Sequence, residues 1–224
     1  MKHSYQPGHK FLHDIHLFMV VLTLVIFFVS LAITVTIANV PLFMGSLWYS
    51  KSFELVHLSF WTVVENYLQL LAYLNVPWID HLVMKDFPTS ASAAFHFMEV
   101  KHLFYLNYAI LIVSAIVGRY LLYKLKVSRN LWRLYWPFKQ LRWLPILVII
   151  LLIFNFNTIF IVFHEIAFNN DAWLFNPATD PIILVLHESF FLLCFISVFV
   201  ILQIEIEVVY RKVKKDFNHQ ILGI

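Results

Sequence analysis

Four long apolar runs divide this chain, with short polar stretches between them. They cover Leu17–Val40, Leu103–Tyr123, Leu144–Phe163 and Ile182–Ile206. Each is near or above the roughly 20 residues an α-helix needs to cross a bilayer. Residues 54–74, ELVHLSFWTVVENYLQLLAYL, are also apolar, but Glu54, His57, Glu65, Asn66 and Gln69 interrupt them. This pattern predicts an amphipathic helix lying in the membrane interface. Thr89 and Ser90 follow Pro88 and offer an N-cap, so a helix over 91–123 is expected to run on into the second span. Pro77 and Pro88 break the intervening stretch into short pieces.

The composition agrees with spans. The chain has 224 residues, of which 61% are hydrophobic and 13% charged, and its mean hydropathy is +0.78. So few charges cannot cover the surface of a water-soluble domain of this size. The expected fold class is an all-α polytopic membrane protein, with four transmembrane helices and a small extracellular helical cap. One integral membrane domain over 1–224 is expected, with the cap over about 41–102. The one cysteine, Cys194, excludes an intrachain disulfide and a cysteine metal cluster. It reads as a small core residue.

The distribution of charge sets an orientation. The segment after the second run carries Arg119, Lys124, Lys126, Arg129, Arg133, Lys139 and Arg142 without an acidic residue. The tails add Lys2, Lys10, Arg211, Lys212, Lys214 and Lys215. The opposite side has only Lys51, Lys85 and Lys101 and holds most of the acids. The positive-inside rule then puts both termini in the cytoplasm. A fifth span over 54–74 would send one of the basic segments outside. The net charge of +3 gives no reason to expect a nucleic-acid partner.

The chemistry concentrates where the third run ends. FHEIAFNNDAWLFNPATD, residues 163–180, packs His164, Glu165, Asn169, Asn170, Asp171, Trp173, Asn176 and Asp180 beside lipid. Polar groups there need partners or a task. Asn170, Asn176 and Asp180 could cap the loop and the start of the fourth span, and Trp173 could be an interfacial anchor. His96 and Glu99 are three apart, on one helical face. His96 lies seven residues before the second run, roughly 10 Å above it. Topology therefore places His96 and His164, from separate helices, at one membrane boundary. Water and headgroups could simply solvate His96, and Lys101 or His102 could satisfy Glu99. His187 and Glu188, near the outer end of the fourth run, could line a cavity or equally serve a snorkelling or loop-proximal role. There is no GxSxG, no HExxH and no glycine-rich phosphate loop. Ser90 and Ser92 near His96 leave a serine nucleophile open, and the two histidines with Glu99 or Asp180 leave a zinc site open.

The residues His96-Phe97-Met98-Glu99-Val100-Lys101 precede one span. Phe163-His164, Phe168, Asn170, Trp173, Asn176-Pro177 and Asp180 follow the next. This layout resembles the lipoprotein intramolecular transacylase (Lit) family of Gram-positive bacteria. The chain departs from the family pattern where Glu99 replaces the usual aspartate and Ala93 a frequent glutamate. The resemblance implies an extracellular pocket rich in aromatics, with His96 and His164 as the catalytic pair. It implies substrate contacts from Glu99, Phe163, Phe168, Asn170, Trp173, Asn176 and Asp180. The expected substrate is a diacylglyceryl-modified lipoprotein in membrane lipid. Its sn-2 acyl chain would move to the α-amino group of its own cysteine, leaving a lyso-form lipoprotein. No cofactor or metal is expected. A histidine can take the proton that an attacking amine sheds. Rival readings are a non-enzymatic assembly protein and a metal-dependent lipid hydrolase.

Overall fold

The computed structural model describes residues 7–222. Among them every regular element is helical. Four helices are long and apolar enough to span a membrane, within Asp14–Ile37, Ala91–Val127, Leu131–Ala167 and Glu188–Ile221. The chain is an all-α polytopic membrane protein with a small helical cap.

The helices are α1 (Pro7–Ile37), α2 (Val40–Ser50), α3 (Phe60–Asn75), α4 (Ala91–Val127), α5 (Tyr135–Leu141), α6 (Leu144–Ala167) and α7 (Glu188–Phe217). Their bounds correct the sequence reading in several places. The first span stops at Ile37, because Asn39 caps a new helix by accepting the Leu42 N–H at 3.2 Å. The amphipathic helix begins at Phe60 rather than at Glu54, with Ser59 as its cap. Glu54 and His57 fall in the turn before it. The third span runs on to Ala167, so His164 and Glu165 are helical. The fourth starts at Glu188. Ile182 instead lies in a 3-10 turn, Pro181–Leu184, and is fully buried. The helix from Ala91 follows the expected cap, with Ser90 Oγ accepting the Ala93 N–H at 3.1 Å.

The described chain forms two compact units. The first, from 1–34, 109–148 and 198–224, packs Val20, Leu24, Phe28, Leu134, Phe138, Leu202 and Ile206 into one core. Its ion pairs sit at the basic segments, with Arg133 to Asp14 at 2.7 Å and Arg142 to Glu207 at 3.0 Å.

The second unit, from 35–108 and 149–197, contains the cap and the polar stretch. Its core joins Phe43 and Leu47 of α2, Val63, Tyr67 and Leu70 of α3, and Ile182, Val185 and Phe190. Phe43 stacks on Tyr67 at 3.8 Å between centroids, and Phe190 meets both edge-on. Two buried polar side chains fix the cap's irregular segment after α3. Asn66 donates to Asp86 at 2.7 Å and accepts the Asp86 N–H at 3.0 Å. Lys101 of α4 donates to the carbonyls of Val76 and Ile79 at 3.0 and 2.7 Å, with its ammonium 4.6 Å from the Tyr73 ring centre. Lys101 therefore does not serve Glu99.

Candidate active site

Two helices of the second unit bring the histidines together. His96 is in the second turn of α4. His164 is in the last turn of α6, four residues after Phe160 and therefore on its face. Their ring centroids are 5.9 Å apart, and both residues are buried. The co-location expected from topology is thus a contact across one small site.

Aromatic rings wall it. Phe168 lies edge-on to His96 at 4.6 Å and 5.6 Å from His164. Trp173 lies over His164 at 4.7 Å, and Phe163 meets it at a right angle at 5.3 Å. Two further walls carried no signal in the sequence beyond apolarity. Phe160 packs on His164 at 4.2 Å and Phe175 on His96 at 5.6 Å.

A hydrogen bond orients the His164 ring, and a carboxylate faces His96. His164 Nδ1 is 2.7 Å from the Phe160 carbonyl oxygen. A carbonyl only accepts, so Nδ1 carries a proton, and in the neutral ring Nε2 carries the lone pair. His96 Nδ1 lies 4.0 Å from Glu99 Oε2, and neither of these buried atoms has another partner. The other oxygen, Glu99 Oε1, accepts from Asn170 Nδ2 at 2.9 Å, while Asn170 Oδ1 accepts the Ala172 N–H at 2.9 Å. Asn170 thus reaches the site through Glu99.

Asp180 and Asn176 have different surroundings. Asp180 is buried; its Oδ1 accepts the Ser90 N–H and its Oδ2 the Thr179 hydroxyl, both at 2.7 Å. It ties the loop that carries Trp173 and Phe175 to the start of α4. Asn176 is exposed and turns the chain, with its Oδ1 accepting the Ala178 N–H and its carbonyl the Asp180 N–H. Neither residue is among the ring partners of the histidines. Ser90 is spent as a cap, and Ser92 is exposed. Among the described residues no three His, Cys, Asp or Glu side chains are placed to hold a metal ion.

A histidine pair ringed by aromatic side chains lies close to the ends of two helices long and apolar enough to cross a membrane, in an all-α polytopic membrane protein. The description "Lipoprotein intramolecular transacylase Lit" belongs to the family model that matches residues 18–191. The chain belongs to that family and is an acyltransferase of lipoproteins. Among solved structures it is similar to the membrane-integral Lit of Bacillus cereus. The identity is 20% and the TM-score 0.88, over 96% of this chain and 99% of that one. A histidine-to-arginine variant of the same protein gives 19% and 0.84, over 97% of each chain. A histidine-to-alanine variant gives 21% and 0.80, over 93% and 96%. These likenesses establish the fold. Among curated protein sequences none matches the chain.

Proposed function

We propose that this protein moves the sn-2 acyl chain of a lipoprotein's diacylglyceryl-cysteine to the α-amino group of that cysteine. His96 and His164 act as the acid–base pair. The 5.9 Å approach of two buried imidazoles from separate helices carries the reading.

The reaction is aminolysis of an ester within one molecule. The amine nitrogen attacks the carbonyl carbon, the nitrogen loses a proton, and the glyceryl oxygen leaves and gains one. His164 is the base, since its Nδ1–H is committed to Phe160 and its Nε2 lone pair is available. His96 supplies the donor to the carbonyl oxygen. As a neutral ring His96 has one N–H to donate to that oxygen, and it neither gains nor loses a proton in the step. The protonated His164 then returns its proton to the departing oxygen. Holding amine and ester together can lower the barrier by up to roughly 7–11 kcal/mol. Phe163, Phe168 and Trp173 pack round the rings and exclude the water that would hydrolyse the ester.

Orientation follows from charge. With both termini cytoplasmic, the cap and the histidines face outward.

The test uses purified protein and a synthetic diacylglyceryl lipopeptide. The expected product has unchanged mass, and fragmentation finds the acyl group on the cysteine nitrogen. Release of a free fatty acid with matching loss of mass overturns the proposal.

A further inference from the structure

The histidine contacts leave a cavity of the same unit unexplained. Its volume is about 530 Å³, within the range of small-ligand sites, roughly 300–1,000 Å³. Ser52, His187 and Ser189 give it polar lining, and Phe156, Leu184 and Leu192 give it apolar lining.

The cavity lies one ring away from the histidines. Phe160 packs on His164 at 4.2 Å, on Phe191 at 5.5 Å and on Phe156 at 5.6 Å. Phe156 and Leu192, the neighbour of Phe191, line the cavity beyond. Phe160 meets Phe191, and Phe195 meets both Phe156 and Phe163, so α6 and the start of α7 pack together between the histidine pair and the cavity. Phe156 lies two turns deeper along α6, about 12 Å from His164. A lining that mixes polar groups (Ser52, His187, Ser189) with apolar ones (Phe156, Leu184, Leu192) suits an acylated glyceryl unit.

His187 defines the polar chemistry. Its Nδ1 accepts the Phe190 N–H at 3.3 Å and is 2.6 Å from Ser189 Oγ. Nδ1 thus holds the lone pair, the ring is neutral, and Nε2 carries the proton. Burial works in the same direction, holding His187 below the ordinary imidazole range. Nε2 is buried without a partner. A buried donor without an acceptor is unfavourable, and an ester carbonyl would satisfy it. Glu188 is the one charged residue among the described residues of the lining. With no cation to meet it, a lipid phosphate is disfavoured and a neutral glyceride is not.

We propose that this cavity binds the non-migrating acyl ester of the diacylglyceryl group, with His187 Nε2–H donating to its carbonyl and the chain running past Leu192 to Phe156. The proposal rests on the transacylase reading above. The test is photolabelling in nanodiscs with the full chain, wild type and His164→Ala. One probe is a diacylglyceryl lipopeptide with a diazirine on its unmoved chain, and the other is a diazirine phospholipid. The lipopeptide probe is expected to label the segments holding Phe156 and Leu192 in both proteins. Labelling needs no turnover, so it reads the cavity even if the histidine chemistry is wrong. Leu192→Trp is expected to lower that labelling and kcat/KM about tenfold or more for long-chain substrate, and less than about twofold when the unmoved ester is butanoyl. Labelling there by the phospholipid alone, by neither probe, or an equal loss for both substrates overturns the proposal.

Discussion

Asn170 Nδ2 donates to Glu99 Oε1 across 2.9 Å, and so links the segment after α6 to the face of α4 that carries His96. A hydrogen bond to a charged group contributes about 1.5–3 kcal/mol. Its role is to hold Glu99 Oε2 opposite His96 Nδ1. Asn170→Ala should lower kcat about 10- to 100-fold if that energy is expressed in the transition state. Asn170→Asp should do more damage, since it sets a second carboxylate against Glu99. Initial rates on the diacylglyceryl lipopeptide check the order. An Asn170→Asp variant as active as wild type would show that Glu99 needs no such support.

The histidines should be separable by size of effect. His164→Ala removes the base and should cost about a hundredfold to ten-thousandfold. His96→Ala removes one oxyanion donor and should cost about a hundredfold to a thousandfold. Because the two act in one step, the double variant should fall little below the worse single one. Rates are compared on variants with wild-type thermal unfolding. Near-normal activity in the double variant would refute the assignment.

Asp180 should act on the fold as well as on the rate. Asp180→Ala leaves the Ser90 N–H and the Thr179 hydroxyl without their shared acceptor. The expected loss is about 1–3 kcal/mol of stability, read as a lower unfolding temperature. Asp180→Asn keeps an oxygen for Ser90 and should lose less. An Asp180→Ala protein with unchanged unfolding but no substrate affinity would instead make this residue a substrate ligand.

The spans were legible because bilayer thickness imposes a minimum apolar length on each run. The helix starting beside Ser90 was legible for the same reason any N-cap is: a hydroxyl followed by a periodic stretch. Ile182 was misread because hydropathy does not distinguish an apolar residue in a span from one buried in a protein core. His96 and His164 could be placed at one level from topology, but not their separation, which depends on how α4 packs against α6. The partner of Glu99 could not be read locally. Lys101 and His102 are near in sequence, yet the two Lys101 bonds go to the cap, and an asparagine 71 residues away takes the carboxylate. Side chains that join distant segments leave no periodic trace.

Lys101 should prove structural. It is a buried ammonium held by two carbonyls and a tyrosine face, without a carboxylate. Lys101→Met keeps the length of the stem but strands the carbonyls of Val76 and Ile79, at about 1–3 kcal/mol for each buried group left unpaired. Limited proteolysis should then cut faster within residues 76–90 than in wild type, while the spans stay protected. Unchanged cleavage would show that the cap holds its shape without this clamp.

The orientation can be tested independently of activity. In a Cys194→Ser background, Val83→Cys places a thiol on the cap, where the native side chain is 73% exposed. Ser128→Cys places one in the basic segment after α4, also exposed. An impermeant maleimide added to intact cells should label the first and reach the second only after permeabilisation. This outcome follows from the bias of Lys and Arg toward one set of loops. The reverse pattern would put the histidine pair on the cytoplasmic face and would break the charge argument. It would leave the 5.9 Å contact between the two rings untouched, because that contact is fixed by helix packing and not by the side from which substrate arrives.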